Sequence, residues 1–118
     1  MSDARTRWGR IIISTRAIAT IASQACLHTY GIVGMASRNL VDGISHLIAR
    51  DPRHGVDVRT EQGGVSIELF LIVEYGTRIS SVADSVAHTV RYQIERALGT
   101  PIGAVNVHIQ DLRISDVD

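Results

Sequence analysis

The chain has 118 residues, a length that suits one domain with its own core, and its composition of 45% hydrophobic and 20% charged residues is that of a soluble globular protein. Formal net charge is zero and all twelve basic residues are arginine, which removes the usual electrostatic argument for a nucleic acid or an anionic membrane. The single cysteine, Cys26, excludes an internal disulfide and a cysteine-only metal site, and no apolar run approaches the roughly 18 residues of a membrane span.

Met1 to Arg10 carries positive charge with no apolar run of secretory length behind it, so a cytoplasmic protein is expected. This stretch reads as a polar, frayed tail in which Arg5, Arg7 and Arg10 surround Trp8, the only tryptophan. Such a segment suits a membrane surface or a nucleic acid strand. Three arginines are few for an electrostatic anchor, however, and a tail whose tryptophan rests on the domain edge is the simpler expectation.

Ile11 to Ile13 reads as a short strand. Ser14 then caps a helix over Thr15 to His28, with Ile18, Ile21, Ala22 and Ala25 at the spacing of a buried stripe. Cys26 borders that stripe as a buried structural thiol. Gly31 to Met35 is a brief strand or a loop between glycines. A second helix is expected over Ser37 to Arg50, ended by Asp51-Pro52. Val56 to Thr60 is a strand, and Glu61 to Gly64 turns it into the longest strand of the chain.

That strand runs from Val65 to Gly76. Val65, Ile67, Leu69, Leu71, Val73 and Tyr75 alternate at period two on the expected inner face. Its outer face mixes Ser66, Glu68 and Glu74 with Phe70 and Ile72. At about 3.3 Å per residue it is long enough that it should bend or project beyond its neighbours. Ser81 is expected to cap the last helix in a capping box with Asp84, with Ile79, Val82, Ala83, Val86, Val90, Ile94, Ala97 and Leu98 as its apolar stripe. Gly99 and Pro101 mark its stop. Ala104 to Ile109 is a final strand, and Asp111 to Asp118 a polar tail. The order β-α-(β)-α-β-β-α-β predicts a two-layer α+β fold, a mixed sheet with helices on one face. It is a single domain over 1–118, with residues 1–9 and 112–118 as partly flexible tails.

Chemical motifs are scarce. His28, His46, His54, His88 and His108 fall on different elements with no i, i+4 pair, so no metal site is expected. Glu68 and Glu74 lie about 20 Å apart along one strand, too far to act as an acid and base pair. No nucleophile elbow, phosphate loop or dinucleotide fingerprint occurs, so neither an enzyme nor a cofactor is expected. Gly31 and Gly34 match the Gly-x-x-Gly spacing of K-homology RNA-binding loops, but Ile32 and Val33 between them are unlike residues that clamp a phosphate backbone. What remains is a surface. Phe70 and Ile72, rimmed by Glu68 and Glu74, form an apolar centre with a polar edge, the pattern of a protein-interaction patch.

Five segments in order carry a family resemblance: Ile12-Ile-Ser14, Gly31-Ile-Val-Gly-Met35, Leu40-Val-Asp-Gly-Ile44, Val73-Glu-Tyr-Gly76 and Val105-Asn-Val-His-Ile109. Together they resemble the alkaline shock protein family of bacterial envelope stress response proteins, over roughly Arg10 to Asp111. The resemblance implies a small non-enzymatic cytoplasmic protein of envelope homeostasis that self-associates. It also implies a membrane association made through an anchoring partner protein rather than by insertion, and supplies no catalytic residues. The chain departs from that family picture in having no lysine and shorter, less acidic ends.

Overall fold

The structure is a computed structural model that describes residues 2–6, 9–36, 55–61 and 64–114. Among these, six strands and two helices follow one another: β1 (Ser2–Thr6), β2 (Gly9–Ile13), α1 (Thr15–Leu27), β3 (Ile32–Met35), β4 (Val56–Glu61), β5 (Gly64–Glu74), α2 (Ile79–Leu98) and β6 (Val105–Arg113). The helix expected over 37–50 lies outside the described residues, as do His46 and His54.

β5 is the centre of the sheet. Its inward residues Val65, Ile67, Leu69, Leu71 and Val73 are buried, as the period-two pattern requires. The long strand does not project beyond its neighbours, because two short strands share one of its edges in series. β4 runs antiparallel to the first half, from Glu61 opposite Gly64 to Val56 opposite Leu69. β3 runs antiparallel to the second half, with Met35 opposite Leu71 and Ile32 opposite Val73. They meet at Phe70, whose amide donates to Gly55 O (2.8 Å) and whose carbonyl accepts from Ala36 N (2.8 Å). β6 lies parallel on the other edge, from Val105 opposite Ile67 to Arg113 opposite Glu74. The sheet is therefore mixed, as expected.

Both described helices pack on the inner face. Ser14 caps α1 as predicted, its Oγ accepting from Ala17 N at 3.1 Å. Ile18, Ala22, Ala25 and Cys26 of α1 and Val82, Val86, Val90 and Ile94 of α2 join the inward side chains of β5 in one core. α2 ends at Gly99, which adopts the left-handed conformation (φ 76°) that a side chain disfavours. Just beyond, Arg91 and Glu95 hold the connection to β6. Arg91 donates to Ile102 O (3.2 Å) and Gly103 O (2.8 Å), and Glu95 Oε2 accepts from Ile102 N (2.9 Å).

Four sequence expectations change. Residues 2–6 are not a tail but pair antiparallel with β2, Ser2 opposite Ile13 and Thr6 opposite Gly9, in a hairpin separate from the main sheet. Ser81 is not the cap of α2. The cap lies three residues earlier, at Arg78, with no side-chain cap bond. β6 continues to Arg113, drawing residues 111–113 out of the expected polar tail, because its parallel partner β5 reaches Glu74. Tyr75 is 61% exposed rather than inward, since β5 ends at Glu74 and the chain turns there.

Candidate functional site

The outer face of the sheet gathers the residues that the sequence nominates. Glu68, Phe70, Ile72 and Glu74 alternate along β5 and share that face. Register brings in partners from both sides. Glu68 stands between Asp57 of β4 and Asn106 of β6, Phe70 beside His108, Ile72 between Gly34 and Asp111, and Glu74 beside Arg113.

Glu68 is the polar hub of this face. Its Oε2 accepts from Asn106 Nδ2 at 2.7 Å, and its Oε1 lies 2.6 Å from His108 Nε2. Its side chain is only 18% exposed. The His108 contact, then the Asn106 bond, hold the Glu68 carboxyl below its usual pKa, against a smaller opposing effect of burial. The His108 ring in turn stacks on Phe70, with centroids 4.6 Å apart and planes 9° from parallel. One imidazole thus ties the carboxylate to the aromatic ring. Arg59 and Asp57 pair at 3.4 Å on the neighbouring strand, at the rim.

The two apolar residues of the expected patch play different parts. Phe70 is only 9% exposed, so it holds His108 in place and offers a partner little surface. Ile72 is half-buried, and Gly34 opposite leaves its flank bare of a β-carbon; one built there would meet Ile72 Cδ1 at 4.0 Å. Glu74 anchors backbone more than chemistry: its amide donates to Gly31 O, and its carbonyl accepts from Thr77 Oγ1 at 2.7 Å. The convergence of Asn106 and His108 on Glu68 is not among the sequence expectations. Separations of 38 and 40 residues leave no local signal for that.

Other candidate features carry less. Gly31 to Gly34 leads into β3 rather than forming an open loop, and Ile32 between the glycines lies in the core. Among the described residues, no group of three or more His, Cys, Asp or Glu could hold a metal ion. His28 and His88 contact the Gln24 and Asp84 carbonyls of their own helices, at 2.7 and 2.9 Å. Cys26 is fully buried, and burial pushes its thiol up to about 12. No described helix is long and apolar enough to cross a membrane.

The fold has relatives among solved structures. One variant of the MamM CTD superposes with a TM-score of 0.51 at 11% identity, covering 82% of this chain and 96% of that one. The copper form of another reaches 0.51 at 10% identity, covering 87% and 100%. Identity this low speaks to the fold alone. Sequence relatives are nearer. The chain is 38% identical to the uncharacterized protein YloU of Bacillus subtilis over 116 residues, 97% of each chain. It is 30% identical to the uncharacterized protein Spy1614 of Streptococcus pyogenes over 111 residues, 92% of each. Residues 3–114 match the alkaline shock protein 23 family, described as having a cell envelope-related function. The resemblance carried by the five sequence segments is thereby explained: this chain belongs to the alkaline shock protein 23 family.

Proposed function

We propose that the chain is a non-enzymatic, self-associating adaptor of the bacterial cell envelope stress response. It works in the cytoplasm by binding other proteins, including one that anchors it at the membrane. Its contact surface is the outer sheet face at Glu68, Ile72 and Glu74, with Phe70 as the support beneath. The observation that carries this reading is the arrangement around Glu68. A carboxylate held by Asn106 and His108, with Phe70 stacked behind, is a fixed acidic feature beside the half-open apolar side chain of Ile72. Rigid polar groups around a small apolar centre suit recognition, because little side-chain freedom is lost on binding. The family's cell envelope-related description supports the setting.

The test is affinity capture of the tagged full-length protein from its own cells, with and without nuclease, in parallel with the Ile72→Ser and Glu74→Arg variants. A nuclease-resistant envelope protein held by the wild type and released by both variants is the expected result. Sedimentation velocity of the same three proteins should show association that the variants weaken. Recovery of nuclease-sensitive RNA in place of a protein, or equal capture by all three, would overturn the reading.

A further inference from the structure

β6 forms one edge of the sheet: among the described residues it pairs only with β5. The amide of Ile67 donates to Ala104 O at 2.9 Å. Backbone groups alternate in direction along a strand, so Ala104, Asn106 and His108 turn theirs toward β5. Val105, Val107 and Ile109 turn theirs to the open edge. Such an edge invites another strand, and proteins guard it with bulges and charges. In β6 these guards occur only beyond Ile109. The register with β5 slips there by one residue, at Gln110. Asp111 and Arg113 bring charge, and the amide of Leu112 is already taken by Asp111 Oδ1 at 2.8 Å. Val105 to Ile109 has no bulge, no proline and no acidic or basic side chain other than His108. Val105, Val107 and Ile109 pack on the core yet stay only half-buried.

We propose that Val105 to Ile109 pairs antiparallel with the same stretch of a second copy of the chain, joining two four-stranded sheets into one. This pairing rests on the self-association proposed above and gives it a surface distinct from Ile72 and Glu74. A two-fold axis through Val107, perpendicular to the sheet, sets Val107 opposite Val107 of the second copy, Val105 opposite its Ile109 and Asn106 opposite its His108. The helices of both copies then lie on one side, and the half-buried aliphatic side chains cover one another. About six backbone hydrogen bonds form between the outward-facing residues. The outer face matches as well. At neutral pH the Glu68 carboxylate only accepts, so His108 Nε2 donates to it and the neutral ring keeps Nδ1 as an acceptor. Asn106 Nδ2 gives one hydrogen to Glu68 and keeps a second. Pairing sets that amide opposite the imidazole of the other copy, with no like charges opposed. A foreign strand would match the backbone alone, whereas the chain's own strand matches in side chains on both faces. The opposite edge has no such match, being divided between β3 and β4 and carrying Asp57, Arg59 and Glu61.

The experiment is sedimentation of the full-length protein over a range of concentrations, with amide hydrogen exchange read residue by residue. A dimer is expected. The amides of Val105, Val107 and Ile109 should slow at least roughly tenfold as it forms, while those of Asn106 and His108, bonded to β5, stay protected throughout. Val107→Pro removes the central outward donor without touching a bond to β5. Its sedimenting mass should halve, with the circular dichroism of the wild type. Ile72→Ser should stay dimeric, because Ile72 lies on the face and not at the edge. A wild type that is monomeric at every concentration, a dimer whose three outward amides exchange freely, or a dimeric Val107→Pro would overturn the proposal. Loss of the dimer in Ile72→Ser alone would overturn it too and assign the contact to the sheet face. Protection of the three amides only on adding a captured envelope protein, with the free chain monomeric, would assign the edge to a foreign strand and equally overturn it. Should Val107→Pro not fold, the exchange pattern of the wild type decides by itself. A dimer broken by Val107→Pro, while Ile72→Ser and Glu74→Arg capture the same proteins as the wild type, would uphold the edge and sink the sheet-face reading.

Discussion

At the scale of single residues, Glu68 gives the sharpest handle on the sheet face. Its folded pKa is depressed by His108 and Asn106, so the unfolded chain takes up a proton before the folded one does. The resulting stability is complete above the ordinary glutamate value of about 4.3 and is lost as pH falls through the lower folded value. Chemical denaturation at a series of acidic pH values should therefore show wild-type stability falling more steeply than that of Glu68→Gln. At neutral pH the same substitution should cost about 1 kcal/mol for hydrogen bonds on a partly exposed face. Equal slopes for the two proteins would mean that the carboxylate is not held as the structure shows. Cys26 supplies a second residue-scale expectation. A thiol that is fully buried and pushed up to about 12 should react with maleimide only after the chain unfolds. Labelling of the native protein within minutes would show that α1 opens locally. The period-two rule placed Glu68, Phe70, Ile72 and Glu74 on one face correctly. It could not say that Phe70 would be covered, because that depends on the His108 ring arriving from a strand distant in sequence.

At the scale of elements, legibility followed how local each signal was. The Ser14 cap and the stripes of α1 and α2 stand in consecutive turns and are readable without tertiary context. β6 could not be bounded that way, because its last residues Asp111, Leu112 and Arg113 owe their strand conformation to the parallel partner β5. The same holds for β1, whose sequence Ser-Asp-Ala-Arg-Thr has no apolar alternation to read. The joint between β3 and β4 yields the element-scale prediction. Gly55 has φ 88°, and a β-carbon there would lie 2.9 Å from Ala36 O and 3.0 Å from Phe70 O. Gly55, Ala36 and Phe70 form the backbone junction that lets two short strands share one edge of β5, with Phe70 bonded to both of the others, so relieving the clash means moving backbone. Gly55→Ala should therefore destabilise the fold by about 2 kcal/mol or more, the left-handed backbone cost plus the clash. Urea unfolding measures this, and a change below about 0.5 kcal/mol would mean that the junction relaxes freely.

At the scale of the whole molecule, the question is which parts unfold together. The core is shared by α1, α2 and the inward sides of β3, β4, β5 and β6, and Arg91 and Glu95 lock the start of the last crossover to the end of α2. Such a body should melt as one cooperative unit. The β1–β2 arm meets that core only near Ile13 in its described apolar contacts, while Ile11 and Ile12 remain exposed. An element with so little buried apolar surface adds little to global stability and opens by itself. Removing residues 1–9 should thus leave the thermal midpoint within about 4 °C of the full chain, the shift that roughly 1 kcal/mol produces in a domain of this size. Hydrogen exchange on the intact protein should agree. Amides of Gly9 to Ile13 should exchange through local opening, while those of Ile67 to Val73 should wait for global unfolding. A loss of more than about 10 °C on truncation, roughly 2 kcal/mol or more, would mean that the arm belongs to the cooperative core. In that case its exposed isoleucines would be structural.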